Sequence, residues 1–108
     1  RCKKTHATMA QIIWTEPALQ DLDQIADYIS LDKPDGAKKL VRRCFQRVEN
    51  LSQHPKLGKA VPDLEESVYR ELVLSPCRIF YRIDNDTIYI IHVMRTEQLL
   101  HLDILTSR

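Results

Sequence analysis

The 108-residue chain carries 16 basic and 15 acidic side chains, so its formal net charge at pH 7 is only +1. Hydrophobic residues make up 44% of it, which suits one modest core and indicates a single globular domain. No apolar run approaches the roughly 20 residues that a membrane-spanning helix requires, and no secretory signal pattern is visible. We therefore expect a cytoplasmic protein that has no membrane partner.

The first eight residues, RCKKTHAT, have no hydrophobic period and hold three basic and no acidic residues. We interpret residues 1–8 as a vector remnant or a disordered extension, and residues 9–108 as one folded domain. Without these eight residues, 13 basic side chains face 15 acidic ones, and the net charge becomes −2. Contact with nucleic acid would therefore depend on a local basic patch.

The three cysteines, Cys2, Cys44 and Cys77, are odd in number and far apart, which argues against a disulfide framework and against paired zinc ligands. Cys44 falls on an apolar helical stripe and Cys77 begins a predicted strand, so both are interpreted as buried thiols. The four histidines are scattered, and two glycines are too few for a glycine-rich phosphate loop. We expect neither a metal nor a cofactor.

The segment AQIIWT, residues 10–15, predicts a short strand followed by a helix. Thr15 is a good N-cap, and Pro17 suits the first helical turn because its missing N–H would have no partner there. Apolar residues then recur at spacings of three and four, which predicts one buried stripe. The stripe consists of Leu19, Leu22, Ile25, Ala26 and Ile29, and the acidic residues lie off it.

Pro34 disfavours helical geometry in Lys33, and Asp35 can cap a second helix over about 36–52. The apolar stripe of this helix consists of Ala37, Leu40, Val41, Cys44, Phe45, Val48 and Leu51. Its other face carries Lys38, Lys39, Arg42, Arg43 and Arg47. The short connection favours an antiparallel helical hairpin. We interpret the basic face as solvated and complementary in charge to the acidic first helix, with a nucleic-acid site as the alternative.

Residues 54–67 contain two prolines and a glycine and are predicted to form a loop. The segment VYRELVLS predicts a strand, and CRIFYRIDNDTIYIIHVMR, residues 77–95, predicts a hairpin that turns at Asn85 and Asp86. Residues 96–105 fit either a short helix or another strand. The order β-α-α-β-β-β predicts an α+β domain: an N-terminal strand and a helical hairpin on one face of a mainly antiparallel sheet.

A two-residue turn fixes the register of the hairpin, because side chains alternate across a sheet. It pairs Asp84 with Thr87, and Ile79 with His92. One face, predicted to contact the helices, consists of Ile79, Tyr81, Ile83, Ile88, Ile90, His92 and Met94. The other face is predicted to be exposed and to bind a target or partner; it consists of Arg78, Phe80, Arg82, Tyr89, Ile91, Val93 and Arg95.

Two like charges, Arg78 and Arg95, would lie near each other at the end of this second face. Such a pair calls for a bound anion or the carboxylates of a partner. Internal acids such as Glu71 or Glu97 are the alternative partners. The residues alone leave both interpretations open.

Three stretches, in this order, resemble the RelE/ParE superfamily of bacterial toxins: IIWTEPALQDLDQIADYI, HPKLGKAVPDLEESVYRELVLSPCRIFYRID and IYIIHVMR. The start of the first helix, the P-x-x-G loop and the Y-R-I-like segment are typical, and the resemblance covers nearly everything from Met9 onward. It implies a RelE/ParE-like fold and the toxin component of a type II toxin–antitoxin system. It also implies a cognate antitoxin protein as partner, through which contact with operator DNA would be indirect.

The superfamily divides by target: RelE-like members cut messenger RNA in the ribosome, whereas ParE-like members inhibit DNA gyrase. Cleavage of RNA needs an acid, a base and cations that stabilise the phosphate. Positions that match the RelE-like set are Arg70, Arg78, Arg95 and His101, but Glu71 and Leu72 stand where a second basic residue is expected. The helical hairpin and the P-x-L-G loop favour the ParE-like branch, a gyrase binder without catalysis. Messenger RNA cleavage is the alternative, followed by nicking of DNA.

Overall fold

The computed structural model describes residues 10–62, 64 and 68–108, so the predictions for residues 1–8 lie outside the described residues. The elements are β1 (Gln11–Trp14), α1 (Glu16–Ser30), α2 (Pro34–Glu49), a 3-10 turn (Asn50–Ser52), β2 (Lys59–Ala60), β3 (Tyr69–Leu74), β4 (Cys77–Asp84), β5 (Thr87–Arg95) and α3 (Leu102–Ser107). The predicted α+β architecture is confirmed. In the described part of the chain, no helix has the length and apolar character to cross a membrane.

The five strands form one sheet in the order β1-β5-β4-β3-β2. β1 runs parallel to β5, and every other neighbouring pair is antiparallel. The long strands β4 and β5 therefore form the centre of the sheet, and β1 and β2 form its short edges. β2 was not predicted, because it is a two-residue strand inside the segment interpreted as a loop.

The start of α1 is as the sequence predicts. Thr15 Oγ1 accepts a hydrogen bond from the backbone N–H of Ala18 at 3.4 Å and donates one to the carbonyl of Ile90 at 2.8 Å. Thr15 thus caps the helix and ties it to β5. For α2 the predicted cap is wrong: Lys33 occupies the N-cap without a side-chain hydrogen bond, and Asp35 lies in the first turn. There its negative charge still favours the helix N-terminus.

The main core lies between the two long helices and one face of the sheet. Its buried members include Leu22, Leu40, Val48, Leu72, Ile79, Tyr81, Ile88 and Ile90. Two residues of the predicted stripes lie at its margin instead: Leu19 is 41% exposed and Phe45 is 38% exposed. The ring of Phe45 packs at the edge against Trp14, with 4.7 Å between ring centroids.

The predicted register of the hairpin holds near the turn and fails beyond it. Asp84 pairs with Thr87 and Tyr81 with Ile90, but a bulge then shifts the strands, so that Phe80 pairs with His92. The predicted pairing of Ile79 with His92 is wrong, because β5 contributes one extra residue at this point.

Because of the bulge, the last residues of β5 point to the faces opposite to those predicted for them. Val93 joins the main core, whereas Met94 joins the cluster on the other side of the sheet. Arg95 lies over the ring of Tyr28 on α1, while Arg78 lies over Phe80. The prediction that Arg78 and Arg95 share one face is therefore wrong.

The second face of the sheet was predicted to be exposed, and this is also wrong. Phe80 and Ile91 are 0% exposed. A second core covers them, formed with Val61, Met94 and Leu105 and flanked by Leu64, Tyr69, Tyr89, Leu100 and Leu102. The C-terminal segment, which folds as α3, and the residues around β2 thus occupy the surface assigned to a partner.

Candidate functional site

The P-x-x-G loop is attached to the sheet by Tyr81. The Tyr81 hydroxyl donates to the carbonyl of Pro55 at 2.7 Å and accepts from the backbone N–H of Gly58 at 2.9 Å. Burial raises the pKa of Tyr81. A Cβ on Gly58 would lie 2.6 Å from the carbonyl oxygen of Glu71 and 2.8 Å from the Tyr81 hydroxyl. The glycine is therefore required by close packing, and the motif is structural.

Arg70, the first cleavage candidate, belongs to the same arrangement. Its Nη1 donates to the carbonyl of Gly58 at 2.7 Å and lies 3.4 Å from the carbonyl of Lys56. Arg70 thus holds the loop through its guanidinium group. Nη1 is thereby occupied by the loop, and Nε is buried without a hydrogen-bond partner among the described residues.

Arg78, the second candidate, is neutralised internally. Its Nε donates to a carboxylate oxygen of Glu71 at 2.6 Å, and the two side chains are 22% and 12% exposed. The alternative that an internal acid pairs with Arg78 is therefore the one the structure bears out. Arg82, on the same side of the sheet, lies 4.7 Å above the ring of Tyr89 and 3.6 Å from Asp84.

Arg95, the third candidate, points to the side of the sheet that carries α1. Its guanidinium lies 4.5 Å from the centroid of the Tyr28 ring, and its Nη1 lies 3.1 Å from a carboxylate oxygen of Glu97. The backbone N–H of Arg95 donates to the side chain of Gln98 at 2.9 Å, which orders the turn after β5. The Arg95–Glu97 pair is open to water, because the Glu97 side chain is 60% exposed. A partner's anion can therefore reach Arg95.

A cleft of about 600 Å³ lies between α1, the end of β5 and the segment that leads into α3. Its wall combines the basic or imidazole side chains of His92, Arg95 and His101 with apolar ones such as Ile25 and Ile104. Exposed apolar groups stand at its rim: Tyr28 is 59% exposed and Leu99 is 83% exposed. Of the four cleavage candidates, Arg95 and His101 line this cleft, whereas Arg70 and Arg78 do not.

Asp21, one of the acidic residues predicted to lie off the apolar stripe of α1, lines the cleft and organises the contacts there. One carboxylate oxygen of Asp21 accepts from Arg108 Nη1 at 2.6 Å and from the backbone N–H of Val93 at 3.2 Å, and it lies 2.8 Å from His92 Nδ1, which itself lies 2.9 Å from Arg108 Nη1. Burial raises the pKa of Asp21, but these hydrogen bonds outweigh it, and the pKa lies below its ordinary value.

These contacts have a topological cause. β1 pairs with β5 only as far as Ile90, so the remainder of β5 has no strand neighbour on that side. Unpaired backbone groups at a strand edge need partners. Asp21 accepts from Val93, and Arg108 Nη1 donates to the carbonyl of Ile91 at 2.9 Å. The sequence contained one sign of this role for Asp21. It lies one helical turn from both Ala18 and Ile25, which are buried.

The two cysteines of the described chain are buried thiols, as predicted. Cys44 and Cys77 are both 0% exposed in the main core and are not joined by a disulfide. The neighbouring Cys77 thiol, together with burial, raises the pKa of Cys44. Within the ranges that the structure describes, no group of three or more His, Cys, Asp or Glu residues is placed to hold a metal ion.

Comparisons with known proteins give the same picture as the fold. Residues 12–100 match the model of the family described as ParE toxin of type II toxin–antitoxin system, parDE. The putative toxin Y4kP of Sinorhizobium fredii is 41% identical over 90 residues, which cover 82% of this chain and 90% of the relative. Toxin RelE2 of Caulobacter vibrioides is 30% identical over 92 residues, covering 84% of this chain and all of the relative. A chain of the chromosomal ParDE system from P. aeruginosa superposes with a TM-score of 0.70 at 30% identity, covering 83% of this chain and 99% of that one.

Proposed function

Because the chain belongs to the ParE toxin family of type II toxin–antitoxin systems, we propose that it arrests growth by binding DNA gyrase, without itself cutting a nucleic acid. The observation that carries this proposal is the dispersal of the cleavage candidates. A site that cleaves RNA needs its acid, base and cations within reach of one phosphate. In this chain two of the four candidates are engaged elsewhere.

Arg70 uses its Nη1 on the carbonyls of the P-x-L-G loop, and Arg78 is paired with Glu71. Neither lines the cleft that contains Arg95 and His101. Among the described residues that line this cleft, Arg95 is the one arginine or lysine, and it stands with His92 and His101. A single such cation supplies less positive charge than stabilisation of a phosphodiester transition state calls for. This arrangement supports a toxin that acts by occupying its target.

The cleft itself has the character of a protein-binding surface. Tyrosine and arginine are the residue types that most often anchor protein interfaces, and Tyr28 and Arg95 stand together at its rim. We propose that the cognate antitoxin neutralises the toxin by placing an acidic, amphipathic segment in this cleft. The solved relative is a ParDE system, which supports an antitoxin partner for this chain as well. The cleft replaces the second sheet face as the proposed partner site, and we propose that gyrase contacts the same cleft, so that the antitoxin blocks access to the target.

A ribosome-dependent messenger RNA endonuclease is the second candidate function. It is favoured by one observation: Arg95, His92 and His101 line a single cleft. In that case His101 would serve as the acid or base, and its replacement by alanine would lower the cleavage rate by roughly 10²–10⁴-fold. A gyrase binder would lose much less, below about tenfold in inhibition, because most single side chains of an interface contribute little of the binding energy.

The experiment that tests the proposal uses the purified toxin in two parallel assays. One measures supercoiling of a relaxed plasmid by DNA gyrase, and the other measures the integrity of a messenger RNA during translation in vitro. We expect supercoiling to stop while the messenger RNA stays intact. Cleavage of messenger RNA only when ribosomes are present, together with normal supercoiling, would replace gyrase binding by the second candidate.

A further inference from the structure

The two long helices carry opposite charges. α1 holds four acidic residues and no basic one, whereas α2 holds five basic residues against two acidic ones. The five cations of α2 are Lys38, Lys39, Arg42, Arg43 and Arg47, and all of them are exposed. We call this set the basic face of α2. A chain that is nearly neutral overall thus concentrates positive charge on one helix.

The basic face is not neutralised by the rest of the described chain. The ion pairs of the described residues involve Arg78, Arg82, His92, Arg95 and Arg108, and none involves α2. The expected complementarity between the two helices therefore produces no direct pairing in this part of the chain. Asp21, the most buried acid of α1, is instead engaged by His92 and Arg108.

The cations are arranged in rows. Lys39, Arg43 and Arg47 follow one another at every fourth position, so they form a row of roughly 12 Å along the helix. At the end of this row lies an open cleft of about 400 Å³, and the described residues that line it are Arg43, Gln46, Arg47, Asn50 and Leu74. None of these five is acidic. Two guanidinium groups on one cleft match the oxygens of a phosphate, which they can bind through two parallel hydrogen bonds.

We propose that the basic face of α2 binds the phosphate backbone of duplex DNA without reading its sequence. A protein partner fits this face poorly, because protein interfaces depend on aromatic and apolar anchors and are depleted in charge at their centres. The one large exposed hydrophobic residue of α2, Phe45, packs against Trp14. Interfaces with nucleic acid are polar and positively charged. The choice of duplex DNA over RNA rests on the proposed action on DNA gyrase.

The test measures binding of a fluorescently labelled 20-base-pair duplex of mixed sequence, by anisotropy, at several salt concentrations. If the five cations each neutralise one phosphate, counterion release predicts a loss of affinity of roughly 500-fold between 50 and 200 mM salt. For the variant Arg43→Gln/Arg47→Gln, three contacts remain, and the loss should be roughly 40-fold. At 50 mM salt the same relation, referred to 1 M salt, predicts binding roughly 200-fold weaker than for the natural sequence.

Two further variants make the result specific. Lys56→Gln/Lys59→Gln removes the same number of charges from exposed positions outside α2 and should keep the natural affinity and salt dependence. Arg43→Lys/Arg47→Lys keeps the charges and should keep the salt dependence. A matching thermal unfolding midpoint for all variants shows that each is folded.

Equal loss of affinity in the α2 and control variants, or no binding of the duplex at 50 mM salt, would overturn the proposal. Tighter binding of a single-stranded 20-nucleotide RNA, or of polyglutamate as a model acidic protein, would also overturn it, in favour of that class of partner. Because the assay contains no gyrase, its failure is separate from failure of the supercoiling test. If the toxin stops supercoiling but binds no DNA, the proposed function stands and the DNA-binding proposal is overturned.

Discussion

At the scale of single residues, the P-x-x-G motif illustrates how a short family signature can serve the fold. Gly58 lies against the carbonyl of Glu71 and the hydroxyl of Tyr81, and the same hydroxyl bonds Pro55. The motif therefore records a contact between a loop and a strand that are 23 residues apart. The sequence contained both parts, but their contact depends on the pairing of β3 with β4, which the spacing of the motif does not specify.

This contact leads to a prediction for Gly58→Ala. The added Cβ would meet backbone and ring atoms at 2.6–2.9 Å, so the loop or Tyr81 must move. We expect a loss of about 1–3 kcal/mol in the free energy of unfolding, as for other overpacked sites. Gly36→Ala is the matched control. Gly36 lies in the first turn of α2, and its Cβ would lie 3.2 Å from the Cβ of the N-cap residue Lys33. Urea unfolding curves should show a change within about 1 kcal/mol for the control, and an equally small change for Gly58→Ala would contradict this account.

Asp21 carries the second residue-scale prediction. Because its pKa is lowered in the folded chain, its contribution to stability is present above its unfolded pKa of about 4 and is lost as the pH falls through the folded value. Asp21→Asn should lower the free energy of unfolding by about 1–3 kcal/mol at pH 7 and should make the acid side of the stability curve less steep.

Asp23→Asn is the control for Asp21, since Asp23 is an exposed acid on the same helix. Its stability at pH 7 should stay within about 0.5 kcal/mol of the natural chain, as expected for a surface substitution. Chemical denaturation of both variants between pH 3 and pH 7 measures the difference. Identical pH dependence in the two variants would show that the Asp21 contacts contribute nothing to folding.

At the scale of elements, the sequence predicted the hairpin turn and the first four pairs, but not the bulge. The sequence feature that marks the bulge is the doublet Ile90–Ile91, because two adjacent isoleucines interrupt the alternation of inward and outward residues in β5. Both faces of β5 are apolar: Ile90 enters the main core and Ile91 the second core. A slip by one residue exchanges two apolar faces and leaves the polarity pattern almost unchanged, so polarity cannot specify the register here.

Two errors account for the wrong predicted site. The register placed Arg95 beside Arg78 instead of over Tyr28. The undecided segment 96–105 and the segment treated as a loop provide the cover of the second sheet face, which was therefore predicted to be exposed. The sequence could supply Arg95 and His101 as candidate residues from their family positions. It could not supply Tyr28, Asp21 or His92, because their meeting depends on where β1 ends and on how the bulge turns β5.

The element-scale prediction concerns α3 as the cover of the second core. Leu105 is 1% exposed and packs in the cluster that contains Phe80 and Ile91. Leu105→Ala should lower the free energy of unfolding by about 2–5 kcal/mol, as for other buried leucines. Hydrogen exchange at the backbone amides of α3 should accelerate at the same time.

Leu99→Ala is the matched control, because this leucine is 83% exposed. Its unfolding free energy should change by less than about 0.5 kcal/mol. If thermal or urea unfolding gave equal losses for the two leucines, α3 would not cover the sheet in solution.

At the scale of the whole molecule, two surfaces of different character lie in different regions, one mixed and one purely basic. The cleft beside α1 combines Arg95 with the exposed Tyr28 and Leu99, which suits a protein partner. The basic face of α2 combines cations with little apolar surface, which suits phosphates. Composition alone gave a nearly neutral chain, and only the positions of the charges on the folded helices separate the two regions.

The central claim is that the toxin acts by binding through the cleft, and two arginines provide the sharpest comparison. Arg95, in the cleft, and Arg82, outside it, each lie over a tyrosine ring, each face a carboxylate, and each have a side chain that is 29% exposed. The measurement is the toxin concentration that halves plasmid supercoiling by DNA gyrase, for Arg95→Ala and Arg82→Ala at equal folded protein. We expect the Arg95 variant to need at least about tenfold more protein, the effect of losing one anchor residue of an interface, and the Arg82 variant to match the natural chain within about twofold. Equal inhibition by the two variants would contradict the account.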